Sequence, residues 1–114
     1  MSFPGSYSFS YYRGDTYAFI VRPKTSSGAQ FDLAGYTAIL TISSSRGPSP
    51  ATSYTGTAVV NDVDDIVTCT ISATVGRNLD PEVSWVYDVQ ITNGVEIYTI
   101  LTGNISSTND ITGA

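Results

Sequence analysis

What most constrains this chain is a period of two. In Tyr7-Ser8-Phe9-Ser10-Tyr11 rings and hydroxyls alternate. Successive side chains of an extended strand point to opposite faces, so the rings share one face and the serines the other. Tyr17, Phe19 and Val21 repeat the pattern before Pro23, which ends the strand or confines it to an edge. Tyr36, Ala38, Leu40 and Ile42 share a face over 35–42, as do Val67, Cys69 and Ile71 over 66–73. A short strand is expected at 57–60. The stretch 74–82, T-V-G-R-N-L-D-P-E, reads as a turn or at most one helical turn. With one Lys, one Met and two Glu, the chain is also short of good helix formers.

The clearest unit is S-W-V-Y-D-V-Q-I-T-N-G-V-E-I-Y-T-I-L-T, a hairpin with Asn93 and Gly94 at its tip. A two-residue loop would set Ile91 opposite Glu96 and mix core and solvent residues on one face. A three-residue loop, Thr92-Asn93-Gly94 with Gly94 left-handed, pairs Ile91 with Val95, Val89 with Ile97 and Tyr87 with Thr99, and is the expected register. It turns Tyr98 away from the core. About seven short strands joined by turns, with no convincing helix, indicate an antiparallel β-sandwich in a single domain spanning 1–114. A chain of this length buries about two-thirds of its unfolded surface around one core.

The net charge of −5 and pI near 4.2 argue against a nucleic-acid partner, whose phosphates would need Lys and Arg. Residues 1–57 hold four basic and two acidic side chains, residues 58–114 one and eight. That contrast would make two faces of opposite polarity if the fold keeps the halves apart. Cys69 is the only cysteine, which excludes an internal disulfide. The N-terminal stretch has no basic-then-apolar signal pattern, and no segment approaches the length of a membrane span. The expectation is synthesis and folding in a cytosol, with no membrane partner.

With no His and one Cys, the usual zinc sites, Ser-His-Asp triads and Cys-His pairs cannot be built. Asp64 and Asp65 are neighbours, which an extended backbone points to opposite faces. No Gly-rich phosphate cradle is present. No catalytic, cofactor-binding or metal-binding residue is therefore assigned, and the expectation is a protein that is not an enzyme. Asn61-Asp62-Val63-Asp64-Asp65 invites a calcium reading, but it lacks the glycine and distal glutamate of an EF-hand and reads better as an acidic turn. Asn104-Ile105-Ser106 fits a glycosylation acceptor, which without export is chance.

Seven aromatic residues fall within 3–19: Phe3, Tyr7, Phe9, Tyr11, Tyr12, Tyr17 and Phe19. Most suit a core. Tyr12 lies on the opposite face from Tyr11, and with Tyr98 it offers ring area for a protein contact or a sugar. If the first strand lies at a sheet edge, its unpaired backbone beside Ser8 and Ser10 can accept a neighbouring strand. Tyr7, Ser8, Ser10, Tyr12 and Tyr98 are accordingly the candidate interface residues. Arg13-Gly14-Asp15 matches a three-letter integrin ligand. It reads better as a joint between strands, where Gly14 permits the turn and Asp15 caps it with its side chain.

Tyr12-Arg13-Gly14-Asp15, Asp32-Leu33-Ala34-Gly35, Tyr87-Asp88-Val89-Gln90, Leu101-Thr102-Gly103 and Asp110-Ile111-Thr112 occur in that order across most of the chain. Together they resemble the N-terminal domain of phage baseplate upper proteins and related small phage structural proteins. The resemblance implies an immunoglobulin-like sandwich and a virion protein, made in the host cytoplasm. It implies docking to other virion proteins of tail, baseplate or neck, as a ring or other homo-oligomer. Departures are the Gly47-Pro48-Ser49-Pro50 loop and a chain stopping at Ala114, short of the longer baseplate proteins, and they favour the expectation of a small stand-alone virion protein of similar fold. Alternatives are a capsid decoration or head-fibre protein, or a sugar-binding adhesion module that uses Tyr12 and Tyr98 on host glycans.

Overall fold

The computed structural model describes residues 5–24, 28–44 and 52–108. Phe3, the Gly47–Pro50 loop and Asp110-Ile111-Thr112 lie outside the described residues. Nine strands and one helical turn are present among those described. They are β1 (Gly5–Ser6), β2 (Phe9–Tyr12), β3 (Tyr17–Val21), β4 (Thr37–Ser43), β5 (Ser53–Thr55), β6 (Thr57–Asn61), β7 (Ile66–Ile71), α1 (Ala73–Gly76), β8 (Trp85–Thr92) and β9 (Ile97–Thr108).

The strands form two sheets. One runs β1-β9-β8-β4-β5, with β2 also on β9, and the other runs β3-β7-β6. Placing β3, β7 and β6 against β4, β8 and β9 gives the strand order of an immunoglobulin-like sandwich. The all-β expectation holds, and the two strands beyond the expected seven are the short β1 and β5. Each sheet contains strands from both halves of the chain, so the charge contrast along the sequence does not become two faces of opposite sign.

The alternation read from the sequence is what builds the core. Leu40 and Ile42 of β4, Val67, Cys69 and Ile71 of β7, and every odd residue of β8 from Trp85 to Ile91 are buried between the sheets. Leu33 plugs one end of the sandwich and Leu79 the other. Each such aliphatic side chain contributes about 1.5–3 kcal/mol when fully buried. Leu33 is held by a turn in which the Asp32 carboxylate accepts from Ala34 N–H (3.0 Å) and Tyr36 N–H bonds Leu33 O (3.0 Å). Asp65, at φ +54°, accepts the Leu33 N–H at 3.1 Å. The helical turn α1 is capped by Ser72, whose hydroxyl accepts from Val75 N–H at 3.2 Å.

The β8–β9 hairpin departs from the expected register. Thr92 pairs with Ile97, Ile91 with Tyr98 and Gln90 with Thr99, so the loop is the four residues 93–96. Asn93 explains the length: its side-chain oxygen accepts the N–H groups of both Val95 (3.0 Å) and Glu96 (2.8 Å), with Gly94 at φ +94°. Val95 and Ile97, expected inside, are exposed. The ladder then slips between Val89 and Gln90, leaving Ile100 as an extra residue before Leu101 pairs with Val89. Such a bulge re-aims side chains. Ile100 is buried, and the inner face beyond it continues through Gly103 and Ile105.

Candidate docking edge

The first strand occupies the edge of the six-stranded sheet. β1 and β2 share one parallel register on β9: Gly5 faces Leu101, Ser6 faces Thr102, and Phe9 to Tyr12 face Ile105 to Thr108. Between them the backbone is pinched onto β9. Tyr7 N–H bonds Thr102 O at 3.0 Å, the Tyr87 hydroxyl donates to Tyr7 O, and the Ser8 hydroxyl oxygen accepts from Asn104 N–H at 3.1 Å. This approach requires a glycine at 103. A Cβ there would lie 2.7 Å from the Tyr7 carbonyl carbon and 2.9 Å from Cε1 of Tyr87.

Its inner face is aromatic. Phe9 stacks on Tyr17 at 4.5 Å between centroids and meets Phe19 and Tyr87 at 5.7 and 5.5 Å. The Tyr7 and Tyr17 hydroxyls bond each other at 2.6 Å, bridging the two sheets. Burial and that bond push the Tyr17 phenol up to about 12. Burial chiefly, with Asp15 adding to it, raises the Tyr11 phenol, whose hydroxyl donates to Asp15 O. Tyr87 is raised too, mainly by burial.

Among the described residues its outer side is polar and open. The N–H groups of Tyr7 and Arg13 bond β9, the latter to Thr108 O at 2.7 Å. Alternation between those two anchors turns the backbone groups of Ser8 and Ser10, and the N–H of Tyr12, to the open side. Ser8, Ser10 and Tyr12 are exposed, Tyr12 at 60%. Four of the five candidate interface residues therefore lie together along one edge.

The fifth does not. Tyr98 is ten residues before Thr108 on β9, which places it about 33 Å from the Tyr12 position. It points toward the core rather than away from it, opposite buried Ile91, because of the four-residue loop. Half-buried, it clusters with Phe31 and Tyr36 at 6.0 and 6.4 Å. Its hydroxyl donates to the Glu96 carboxylate, and this bond above all pushes the phenol up to about 12. One saccharide could not span Tyr12 and Tyr98.

The joint at Arg13-Gly14-Asp15 is a tight turn closed by Asp15 N–H on Tyr12 O at 3.0 Å, with Gly14 at φ +92°. Gly14 is the turn residue as expected. Asp15 closes the turn through its main-chain N–H, and among the described residues no carboxylate cap is seen. Arg13 reaches back to the end of α1, its Nε donating to Arg77 O at 2.7 Å. At the β6–β7 tip, the Asn61 side-chain oxygen accepts from Val63 and Asp64 N–H, which is turn chemistry. Cys69 is fully buried, and burial pushes its thiol up to about 12.

Gly103 and Ile100 were not foreseen as determinants of this edge. Gly103 had a signal, since a glycine inside a strand marks close backbone approach. Ile100 had none, because the bulge depends on the loop length set by Asn93. No protein-family model matches the chain, and no curated protein matches it.

Proposed function

We propose that the protein is a non-enzymatic structural component of a bacteriophage particle, an assembly or docking module of the tail, baseplate or neck. The observation that carries this reading is the first-strand edge, open among the described residues, where Ser8 and Ser10 turn backbone groups outward beside exposed Tyr12. A neighbouring virion protein or a second copy adds a strand there, and main-chain hydrogen bonds supply affinity. Tyr12 supplies a ring at the rim of the contact. Repeated around a closed ring, this head-to-tail contact makes a homo-oligomer.

The phage assignment is supported by the ordered motifs, four of which lie among the described residues. They form the β2–β3 turn, the turn presenting Leu33, the centre of β8, and the Gly103 crossing. A capsid decoration or head-fibre protein would use the same edge on a different layer. The sugar-binding alternative loses its paired rings, since Tyr12 and Tyr98 are far apart.

The test has two arms. Labelled protein is expected on intact particles by electron microscopy, at tail or neck; recovery only from infected-cell lysate, never from purified particles, refutes the virion role. Ser10→Pro removes an outward N–H without touching the β9 ladder. It is expected to keep the fold and abolish incorporation, and normal incorporation would refute the use of this edge.

A further inference from the structure

The first strand lies wholly on the six-stranded sheet, so β3 becomes the end of the opposite one. Among the described residues β3 pairs only with β7. Every second residue of such an edge turns its N–H and C=O away from its one partner. Beside it, a cleft of about 490 Å³ opens between the sheets, walled by Phe19 and Val21 from β3 and by Ile100 and Leu101 from β9. The β9 bulge creates the far wall, because it sets two consecutive apolar residues at the cleft. The Tyr7–Tyr17 hydroxyl bond ties the sheets together beside it. Exposed Arg22 and Lys24 stand at its other end, with Pro23 between them.

We propose that this cleft accepts a short extended segment of another protein, added antiparallel to β3, with apolar side chains at alternate positions and carboxylates at its N-terminal end. The β3 edge supplies the ladder, and the inter-sheet gap takes the alternate side chains. Antiparallel addition brings the N-terminal end of the segment to Arg22 and Lys24. These are two of only five basic residues in a chain of net charge −5, so an acidic end is drawn to this point. Pro23 has no N–H and stops the ladder, limiting the segment to about five residues. A second copy fits less well, since the inward rings of its own β3 are already committed to its core. The inference rests on the docking reading only for where the partner resides; the accepting edge stands on its own geometry.

The probe is an N-acetylated heptapeptide of two aspartates followed by Val-Thr-Val-Thr-Val, titrated into the whole protein by calorimetry and amide NMR. Binding is expected with new exchange protection on β3 and shifts at Ile100 and Leu101. A lysine-led counterpart is expected to bind about tenfold more weakly, and the double variant Arg22→Glu/Lys24→Glu, both at exposed positions, is expected to invert that preference. The proposal is overturned by no binding at about 1 mM, by equal affinity for both peptides, or by protection on β2 instead of β3. Concentration-dependent β3 protection without peptide would assign the edge to a second copy and overturn it. Binding only after deletion of residues 1–4 would assign the cleft to the chain's own N-terminus and overturn it equally. Absence from phage particles would sink the virion role while leaving these titrations unchanged, so the two failures are distinguishable.

Discussion

Gly103→Ala tests whether the first strand is held by its pinch onto β9. The added Cβ would sit 2.7 Å from the Tyr7 carbonyl carbon and 2.9 Å from Cε1 of Tyr87, distances that real Cβ atoms do not tolerate. The backbone of residues 6–8 must lift. Two hydrogen bonds then go, Tyr7 N–H to Thr102 O and Asn104 N–H to the Ser8 hydroxyl, at about 1 kcal/mol each. Tyr87 also loses Tyr7 O as the acceptor of its hydroxyl, at about 1–3 kcal/mol. Alanine returns about 0.5–1 kcal/mol through its lower chain entropy in a strand. The net loss is about 3 kcal/mol, a large part of the 5–15 kcal/mol typical of a domain (~3 against ~10). In urea melts, with a slope of about 2 kcal/mol per molar, the midpoint should fall by about 1.5 M. Amide protection over 5–12 should fall with it. Gly94→Ala is the control: at φ +94° with no atom near its Cβ, it carries only backbone strain of about 1–2 kcal/mol. A Gly103→Ala protein within about 0.5 kcal/mol of wild type, or with its N-terminal protection intact, would refute the pinch.

Three further outcomes are expected. Gly76→Ala places a Cβ 2.7 Å from Cζ of Tyr11 and should destabilise by about 2–3 kcal/mol; because the clash is with the Tyr11 phenol, Tyr11→Phe should recover part of it, and additive losses in a double-mutant cycle would contradict that contact. Tyr17 has its phenol raised from 10 to about 12, so the folded state keeps a proton that the unfolded chain releases near pH 10. Its contribution is complete below that pH and is lost as pH rises to about 12, so urea midpoints should fall across this window and fall less in Tyr17→Phe. Cys69, fully buried with its thiol pushed up to about 12, should resist thiol reagents at neutral pH until the protein unfolds; rapid labelling of native protein would contradict its burial.

Much of the fold was legible because it follows local alternation. The inward faces of β4, β7 and β8 were readable from Leu40 and Ile42, from Cys69, and from Val89 and Ile91, since each face is buried by its own period of two. The β8–β9 register was not, because it depends on how many backbone donors one Asn93 side chain accepts, and two acceptances lengthened the loop by one residue. That single residue sent Tyr98 to the core side and Val95 to solvent. Of the candidate edge, Ser8, Ser10 and Tyr12 were legible as an outward face. Their position at the sheet edge was not, because it rests on parallel pairing with residues 96 positions away in the chain.

That distant pairing links the two docking proposals. Among the described residues, the first strand, by lying on β9, leaves its own outer edge open at Ser8 and Ser10 and also leaves β3 without a second neighbour. Both edges fall on the same side of the sandwich, separated by the cleft and joined by the Tyr7–Tyr17 bond. Their chemistry differs: the β2 edge is flanked by hydroxyls and one exposed ring, the β3 edge by an apolar wall and two cations. One partner using both would lose affinity with Ser10→Pro and with Arg22→Glu/Lys24→Glu alike. Two separate partners predict that Ser10→Pro stops incorporation into particles but leaves the aspartate-led peptide bound, while the charge reversal does the opposite. Salt supplies an independent check, since the β3 contact should weaken from low to high ionic strength and the uncharged β2 contact should not. An incorporation step that is salt-sensitive in the Ser10 edge alone would contradict this division of the two edges.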